Sequence, residues 1–459
     1  MGVEDKVVNL TSDHGTSHDR FQTHKNALTL SRCTKDFMIK TDTVAVIHCV
    51  GSQTGATIRL NIKDNLDAIG RTDDWIVNWT TDGESKQVNA RAPGKHEAVG
   101  LKTNHTASCV SHTAHLAAED SLDQCPDVKR AVEKGHRFVI RINDSNLKKE
   151  AFFKIIEDGG DDPLAILRGT SNRWYFKFRE AERLMLLRVH VERFQEINED
   201  QEDDPLDEDD WHNISIYVNS IKTLSHVSDL LEGETYPTAS NVIPYLDQVF
   251  MELGDLSRRL PAADKDFPQK LLKNLQTAVP KRFPGGYKTV PPFNCLTLTN
   301  PKYMDIYFTE AQKDQALEDI ANDVIFDLAE LDDSDRSPSE PLPVSPSPMT
   351  PMSSFARRRA ELMATKQAAA PVQISGNSLK NKLKAELSRF LGLRETVEEK
   401  TDPQQWWREH VTEFPLLGRY YRAYCAFQAT STASERVFNA EGMVVTKNRY
   451  VTCVTCVTM

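Results

Sequence analysis

The stretch WIVNWTTDG, residues 75–83, decides the fold class of this chain. It is rich in apolar and β-branched residues and closes at Asp82 and Gly83, a pattern typical of a buried strand that ends in a turn. Three brief β-rich runs precede it: KVVNLTSD at 6–13, ALTLS at 27–31 and TVAVIHCV at 43–50. The spacing of apolar residues at 56–70 predicts an amphipathic helix. Three strands, a helix, a strand and a second helix predict a mixed α/β sheet.

Composition limits the classes of protein to be considered. A chain of 459 residues with 39% apolar and 27% charged residues is long and apolar enough for two or three folded domains. Its net charge of -11 means that contact with nucleic acid must depend on local basic patches. Eight irregularly spaced cysteines favour a reducing compartment. No run of 18 apolar residues predicts a membrane span.

The pattern changes three times along the chain. Residues 1–125 carry the strands, and residues 126–325 are mostly helical in pattern. The acidic run EINEDQEDDPLDEDD at 196–210 is typical of a solvated loop. Residues 326–375 are rich in Pro and Ser and predict a disordered linker. An aromatic-rich helical region follows at 376–459.

Three acidic residues stand out by their positions. Asp13 ends the first predicted strand, and Asp82 ends a later one. Carboxylates at neighbouring strand ends can share divalent cations, although an isolated Asp at such a place is more often a turn or helix-capping residue. Glu435 lies in STASERVFNAEG at 431–442, where Thr432-x-x-Glu435 also fits a capping box. Local sequence alone favours the structural interpretation of Glu435.

Five segments in a fixed order resemble the hAT transposase superfamily, of the hobo and Activator type. They are TSDHGTS around Asp13, NWTTDGE around Asp82, CVSHTAHLAAEDSL from Cys109, SNRWYFKF around Arg173 and Trp174, and WWREHVTEFPLLGRYYRAYCAFQATSTASERVFNAEG at 406–442. The last segment is the most specific, because it is similar to the dimerisation-region pattern of that family. The resemblance is strongest at 402–442 and weakest around Asp13.

The resemblance implies a ribonuclease-H-like mixed sheet interrupted by an all-α insertion at 126–325. Asp13, Asp82 and Glu435 would then form a carboxylate triad that binds Mg²⁺ or Mn²⁺ for DNA chemistry. Residues 376–459 would complete the catalytic fold and form a homodimer. The resemblance also implies that Cys109 and His112 are the CxxH pair of the family, next to the catalytic centre. It further implies that Arg173 and Trp174 bind DNA, with Trp174 stacking on a base.

Simpler roles and other functions remain open at this point. Cys109 and His112 fit structural hydrogen bonds better than a partial zinc site, and Trp174 also fits a core position. The sequence departs from the family pattern at Glu441 and in the terminal VTCVTCVTM. We therefore predict a nuclear, dimeric, DNA-binding derivative of a transposase that is degenerate or truncated. The alternative is an active DDE transposase, and a helical scaffold unrelated to transposases is the third hypothesis.

Overall fold

The structure is a computed structural model that describes residues 8–16, 24–49, 51–70, 76–92, 105–161, 164, 166, 174–198, 204–282, 286–328, 352–365 and 379–437. The chain divides into two compact units. The first unit comprises 1–112, 230–244 and 282–459, and the second comprises 113–229 and 245–281. The second unit thus interrupts the first, but with boundaries that differ from the predicted 126–325.

A five-stranded sheet lies in the first unit and confirms the predicted mixed α/β class. Its strands are β1 (Val8–Thr16), β2 (His24–Cys33), β3 (Ile39–Cys49), β4 (Ile76–Thr81) and β5 (His105–Ser108). Their spatial order is β3-β2-β1-β4-β5. β2 is antiparallel to β1 and β3, whereas β4 is parallel to β1 and β5. Because parallel neighbours need a crossover, the helix α1 (Gly55–Ala68) connects β3 to β4.

The sequence pattern missed β5. This strand has only four residues, HTAS, and contains no apolar run. Its extended conformation depends on pairing with β4, in which Thr81 is the register partner of Ser108. A strand that exists through such tertiary pairing leaves little local signal in its own sequence.

One face of the sheet is apolar and packs against α1. Its core cluster consists of Leu10, Leu28, Leu30, Ile58, Ile62, Leu66, Trp79 and Ala90. The next helix, α2 (Ser85–Arg91), crosses α1 closely at Gly55. A Cβ atom at Gly55 would lie 2.9 Å from the backbone nitrogen of Ala90, so the close approach of the two helices requires glycine here.

The opposite face of the sheet is polar and nevertheless buried. Its side chains are at most 8% exposed and comprise Asn9, Thr11, Asp13, Thr29, Ser31, Asn78 and Thr80. Buried polar groups of this kind need hydrogen-bond partners. Asn78 donates to Asn9 within the sheet, and Thr11 and Thr80 bond to residues near the C-terminus. The polar face is therefore the docking surface for a C-terminal segment of the same chain.

The second unit is helical. Its helices are α3 (Val110–Asp123), α4 (Pro126–Asn143), α5 (Asn146–Asp158), α6 (Trp174–Leu186), α7 (Arg188–Ile197), α8 (Glu208–Leu231), α9 (Val242–Arg259) and α10 (Asp266–Arg282). Of these, α3, α8, α9 and α10 extend slightly beyond the ranges of the unit. Phe138, Phe152 and Phe194 pack edge to face in its core, with ring centroids 5.7 to 6.2 Å apart. The predicted helical character of this region is confirmed.

The acidic run at 196–210 is more than a solvated loop. Helix α8 begins inside it at Glu208, and Asp210 is only 1% exposed. Asp210 forms an ion pair of 2.5 Å with the buried Lys134, which compensates its charge. The prediction of a loop was wrong for this end of the run because charge density alone does not reveal a buried cationic partner.

The remaining helices of the first unit correct two predicted boundaries. They are α11 (Phe293–Thr299), α12 (Glu310–Leu328), α13 (Met352–Thr365), α14 (Leu379–Gly392), α15 (Pro403–His410) and α16 (Pro415–Tyr424). Residues 282–325 thus belong with the sheet, where α11 is entirely buried. Helix α13 lies inside the predicted disordered linker 326–375, and Arg359 donates hydrogen bonds to the carbonyls of Lys302 and Val397. Residues 329–351 and 366–378 lie outside the described residues.

An aromatic cluster joins α14, α15 and α16. Phe390 stacks on Trp407 at 5.5 Å, and Trp407 stacks on Tyr421 at 5.2 Å. The indole nitrogen of Trp407 donates to the carbonyl of Thr299 at 3.0 Å, which satisfies its one polar group. Trp406 and Phe414 complete the cluster. In the described part of the chain, no helix combines the length and apolarity needed to cross a membrane.

Candidate active site

Asp13 lies inside β1, and Asp82 directly follows the adjacent parallel strand β4. The prediction that Asp13 ends its strand was wrong, because β1 continues to Thr16 through its pairing with β2. Ser12 of β1 is the register partner of Thr81 of β4, so Asp13 and Asp82 are each one residue further along. Neighbouring strands are about 4.8 Å apart, and side chains two residues apart point to the same face. Thr11 and Thr80 lie on the polar face. Asp13 is two residues after Thr11, and Asp82 is two residues after Thr80. The register therefore places both residues on the polar face, beyond the last β1–β4 pair.

The residues before Glu435 are fastened to this same face. The hydroxyl of Ser434 lies 2.8 Å from that of Thr11, and the Thr80 hydroxyl donates to the carbonyl of Gln428 at 2.7 Å. The amide of Val110 also donates to the carbonyl of Ala429 at 3.0 Å. These contacts fix the segment that carries Glu435, although Glu435 and Asp13 lie at opposite ends of the sequence.

Glu435 lies in the helical turns at 432–437. Its amide donates to the carbonyl of Ser431 at 3.1 Å, and its carboxylate accepts a hydrogen bond of 3.4 Å from the Ser431 hydroxyl. The sequence predicted instead that Thr432 would pair with Glu435 in a capping box. The helix already includes Thr432, so Ser431 precedes the first turn and makes the contact.

Asp82 is mostly buried and lies within the influence of other charged side chains. Burial raises the pKa of its carboxyl to about 6, and the negative charges of Glu84 and Glu435 raise it further, against the backbone N–H of Glu84 and the charge of Arg91. The Glu84 amide donates to the Asp82 carboxylate at 3.1 Å. Since the charge of Glu435 acts on Asp82, the fold brings these two predicted site residues into the same electrostatic field.

Replacing Asp82 with Asn is expected to stabilise the protein near neutral pH by roughly 1 to 3 kcal/mol. The pKa of Asp82 in the folded state, about 6, lies above its ordinary value of 3.8. The folded state therefore holds this proton more tightly, and stability is lost as the pH rises from about 4 to about 6. Urea unfolding of both proteins at pH 4.5 and 7.5 measures this difference, with the exposed Asp64→Asn as control. Equal pH dependence in Asp82→Asn and wild type would contradict the expectation.

Cys109 connects the start of α3 to the C-terminal segment. Its sulfur accepts hydrogen bonds of 3.4 Å from the amides of Ser431 and His112, and its own amide donates to the carbonyl of Thr81. Burial, followed by the charge of Glu435, raises the pKa of the Cys109 thiol to about 12. A neutral, buried thiol that accepts two amides acts as a structural acceptor. The bond from His112 uses its backbone amide and therefore does not depend on the imidazole side chain.

Residues 230–244 also hold the C-terminal segment through hydrogen bonds and an ion pair. The hydroxyl of Thr238 accepts a hydrogen bond of 3.0 Å from the amide of Ala429. Arg436 donates to the carbonyl of Glu232 at 3.0 Å and forms an ion pair with Glu234. Only a tertiary contact gives Thr238 and Arg436 these roles, so no local motif could have identified them.

Of the predicted DNA-binding pair, the structure describes only Trp174. Trp174 is the first residue of α6 in the helical unit, and Arg173 lies outside the described residues. Their predicted role in DNA binding stays a prediction. Among the residues that the structure describes, no group of three or more His, Cys, Asp and Glu side chains is arranged to hold a metal ion.

The fold and the site define an α/β protein in which a C-terminal segment delivers a carboxylate toward the acidic edge of a mixed sheet. Residues 386–452 of this chain match the family model of the hAT family C-terminal dimerisation region. The match supports an hAT family transposase-like protein that forms homo-oligomers, and it confirms the resemblance predicted from the sequence. No curated protein matches the chain.

Proposed function

We propose that this protein is an hAT transposase-related enzyme that cleaves and joins DNA with divalent cations held by Asp13, Asp82 and Glu435. The sheet would be a ribonuclease-H-like core. Two features support this assignment: three antiparallel strands precede two parallel ones in the order β3-β2-β1-β4-β5, and the two aspartates lie on adjacent parallel strands. Binding to DNA and a location in the nucleus are part of the same proposal.

The observation that carries the proposal is that Ser434 is fastened to Thr11 on the polar face, and the charge of the next residue, Glu435, acts on Asp82. An Asp in an ordinary turn does not need a second carboxylate delivered to it from the other end of the chain. Here the charge of Glu435 contributes to the raised pKa of Asp82, although like charges at close range destabilise a fold. Such arrangements of perturbed carboxylates concentrate at functional sites.

The donor set fits Mg²⁺ or Mn²⁺ in its chemistry, although these three side chains are not arranged as a metal-holding group in this structure. All three side chains offer carboxylate oxygens, which are the ligands that these hard cations prefer. A cation would also relieve the repulsion between Asp82 and Glu435. When bound, it would lower the pKa of an attacking water or 3′-hydroxyl and stabilise charge on the phosphate.

The chain itself supplies position and orientation. The Glu84 amide orients the Asp82 carboxylate. The Ser431 hydroxyl donates a hydrogen bond to the Glu435 carboxylate. Cys109 fixes the backbone at Ser431, one helical turn before Glu435. These contacts reduce the freedom of both carboxylates before substrate arrives, which is how a site lowers the entropic cost of reaction.

The test is nicking of supercoiled plasmid by the full-length protein with Mg²⁺ or Mn²⁺, or with EDTA. We expect cleavage only with the divalent cation and its loss in Asp82→Asn. Asp64→Asn removes the same charge from an exposed position of α1 and should leave cleavage unchanged. Cleavage in EDTA, or equal cleavage by Asp82→Asn and wild type, would contradict the proposal.

A second candidate function rests on the dimerisation region alone. In it, the chain is a non-catalytic, transposase-derived protein that dimerises and binds DNA. The family match favours it independently of the carboxylates. A wild-type protein that forms dimers in light scattering and retains DNA in a gel-shift assay, yet nicks no plasmid under any divalent condition, would support this second function.

A further inference from the structure

Helix α14 carries a row of charged side chains on the face that meets the start of α16. Lys382, Glu386 and Arg389 follow one another at spacings of four and three residues, so they share one face of the helix. Lys382 and Arg389 are exposed, whereas Glu386 between them is buried. The Glu386 carboxylate accepts hydrogen bonds of 3.0 and 3.1 Å from the amides of Leu416 and Leu417. The row therefore lies against the first turn of α16.

The first turns of α16 bring a further arginine to this row. The Arg389 guanidinium lies 5.6 Å from the centroid of the Phe414 ring, directly before α16. Arg419 is exposed and lies one helical turn after Leu416, on the same side of α16. Burial raises the pKa of Glu386, while its two amide donors and then the charges of Arg389 and Arg419 act in the opposite direction. The contacts and this charge effect agree in placing both arginines around Glu386.

These cations are only partly compensated within the chain. Among the described residues, no acidic side chain forms an ion pair with Lys382, whereas Lys380 of the same helix pairs with Glu318 of α12. The carboxylate of Glu386 already accepts two backbone amides. The chain as a whole has a net charge of -11, so a local group of exposed cations stands out against its surface. Such a group fits an anionic partner.

We propose that Lys382, Arg389 and Arg419 form a basic seam that binds the phosphate backbone of DNA. The inference rests on the proposed function, which requires the chain to hold DNA. The three carboxylates of the candidate site cannot provide that attraction, because they repel phosphates. Lysine and arginine contacts with phosphate carry no base information, so the basic seam positions DNA without selecting a sequence.

The geometry of the basic seam favours DNA over a second copy of the chain. A two-fold contact centred on the seam would bring the same positive charges of two copies together, and like charges across an interface oppose association. Duplex DNA instead offers about one negative charge per 1.7 Å of its axis. Lys382 and Arg389 are separated by about 10 Å along α14, so they can contact different phosphates.

The test measures binding of the full-length protein to a fluorescently labelled DNA duplex by anisotropy, in EDTA and over a range of salt concentrations. The seam variant combines Lys382→Gln, Arg389→Gln and Arg419→Gln. We expect it to bind at least about tenfold more weakly than wild type. The slope of log affinity against log salt concentration should also decrease by about 3, because each lost phosphate contact releases about one counterion fewer.

The matched control removes the same number of charges from exposed helical positions of the second unit. It combines Arg130→Gln, Lys154→Gln and Arg193→Gln. We expect it to keep the wild-type salt slope and nearly the wild-type affinity, although its net charge equals that of the seam variant.

Two further variants separate charge from folding. A variant with Arg389→Lys and Arg419→Lys keeps both charges and should bind DNA like wild type. If the seam variant does not unfold at the wild-type temperature, the comparison passes to Lys382→Glu, since Lys382 is exposed and has no described ion-pair partner. We expect Lys382→Glu to weaken binding more than Lys154→Glu does.

The outcomes distinguish this inference from the proposed function. Equal affinity and salt slope in the seam and control variants would overturn the basic seam, while divalent-dependent nicking by wild type would still support the proposed enzyme. A wild type that binds DNA through the seam but nicks no plasmid would support the seam and reject catalysis. A changed oligomeric state of the seam variant in light scattering, with unchanged DNA affinity, would assign this surface to a protein contact and overturn the inference.

Discussion

Deleting residues 402–459 is expected to abolish cooperative folding of the sheet unit instead of releasing a folded monomer. The deleted part contains side chains that are almost fully buried within the chain: Trp407, Phe414, Leu417, Tyr420, Tyr421, Tyr424 and Phe427. Replacing one buried aromatic by Ala typically costs about 3 to 5 kcal/mol, and whole domains are stable by only about 5 to 15 kcal/mol. The combined loss of these side chains therefore costs more free energy than the folded domain has.

The deletion would also uncover the polar face of the sheet. Thr11 and Thr80 bond to Ser434 and Gln428, so their buried hydroxyls would lose these partners. Unlike an apolar surface, this face cannot be covered again by non-specific collapse, because its groups need directed hydrogen bonds. The C-terminal region is thus an integral layer of the fold.

Circular dichroism during urea unfolding measures the outcome, with deletion of 438–459 as the matched comparison. The shorter deletion keeps every described residue, and we expect it to unfold cooperatively. Cooperative unfolding of the longer deletion would show that the expectation is wrong.

Light scattering on the shorter deletion also tests whether residues 438–459 are needed for the dimer contact. In the described part of the family match, residues 386–437, no large hydrophobic side chain is exposed.

Sequence periodicity identified β1 to β4 and α1 because each has a local signal of alternating or helical apolar spacing. It could not show that the polar face is buried, since Thr11 and Thr80 look the same whether they face water or another segment. The short strand β5 and the helix α13 were missed for a related reason. Their backbone conformation depends on contacts with distant residues, such as those that Arg359 makes with Lys302 and Val397.

The candidate site was predictable to different extents. The strand pattern predicted that Asp13 and Asp82 end their strands, which holds for Asp82 but not for Asp13, because β1 continues to Thr16. The β1–β4 register places both residues one position beyond its last pair, Ser12 and Thr81. Glu435 could be assigned only through family resemblance, because its local sequence favours a helix cap.

Replacing Glu435 with Gln is expected to reduce divalent-dependent DNA cleavage by at least about a thousandfold, because a ligand that stabilises transition-state charge contributes several kcal/mol. The same change should leave the unfolding temperature in EDTA unchanged or raise it. Glutamine can still accept the hydrogen bond from Ser431, while the repulsion that contributes to the raised pKa of Asp82 disappears. Activity and stability would then move in opposite directions, as is common at functional sites.

Opposite changes in DNA cleavage and in stability distinguish a catalytic carboxylate from one that only caps a helix. If Glu435 only capped its helix, the change to Gln would lower stability slightly and leave cleavage intact. Glu409→Gln is the control, since Glu409 is exposed and accepts a hydrogen bond of 2.9 Å from Gln405 within α15. Plasmid nicking and thermal unfolding in EDTA measure the two quantities. Equal cleavage by Glu435→Gln and wild type, or cleavage by neither, would reject a catalytic role for Glu435 and leave dimerisation as the supported function.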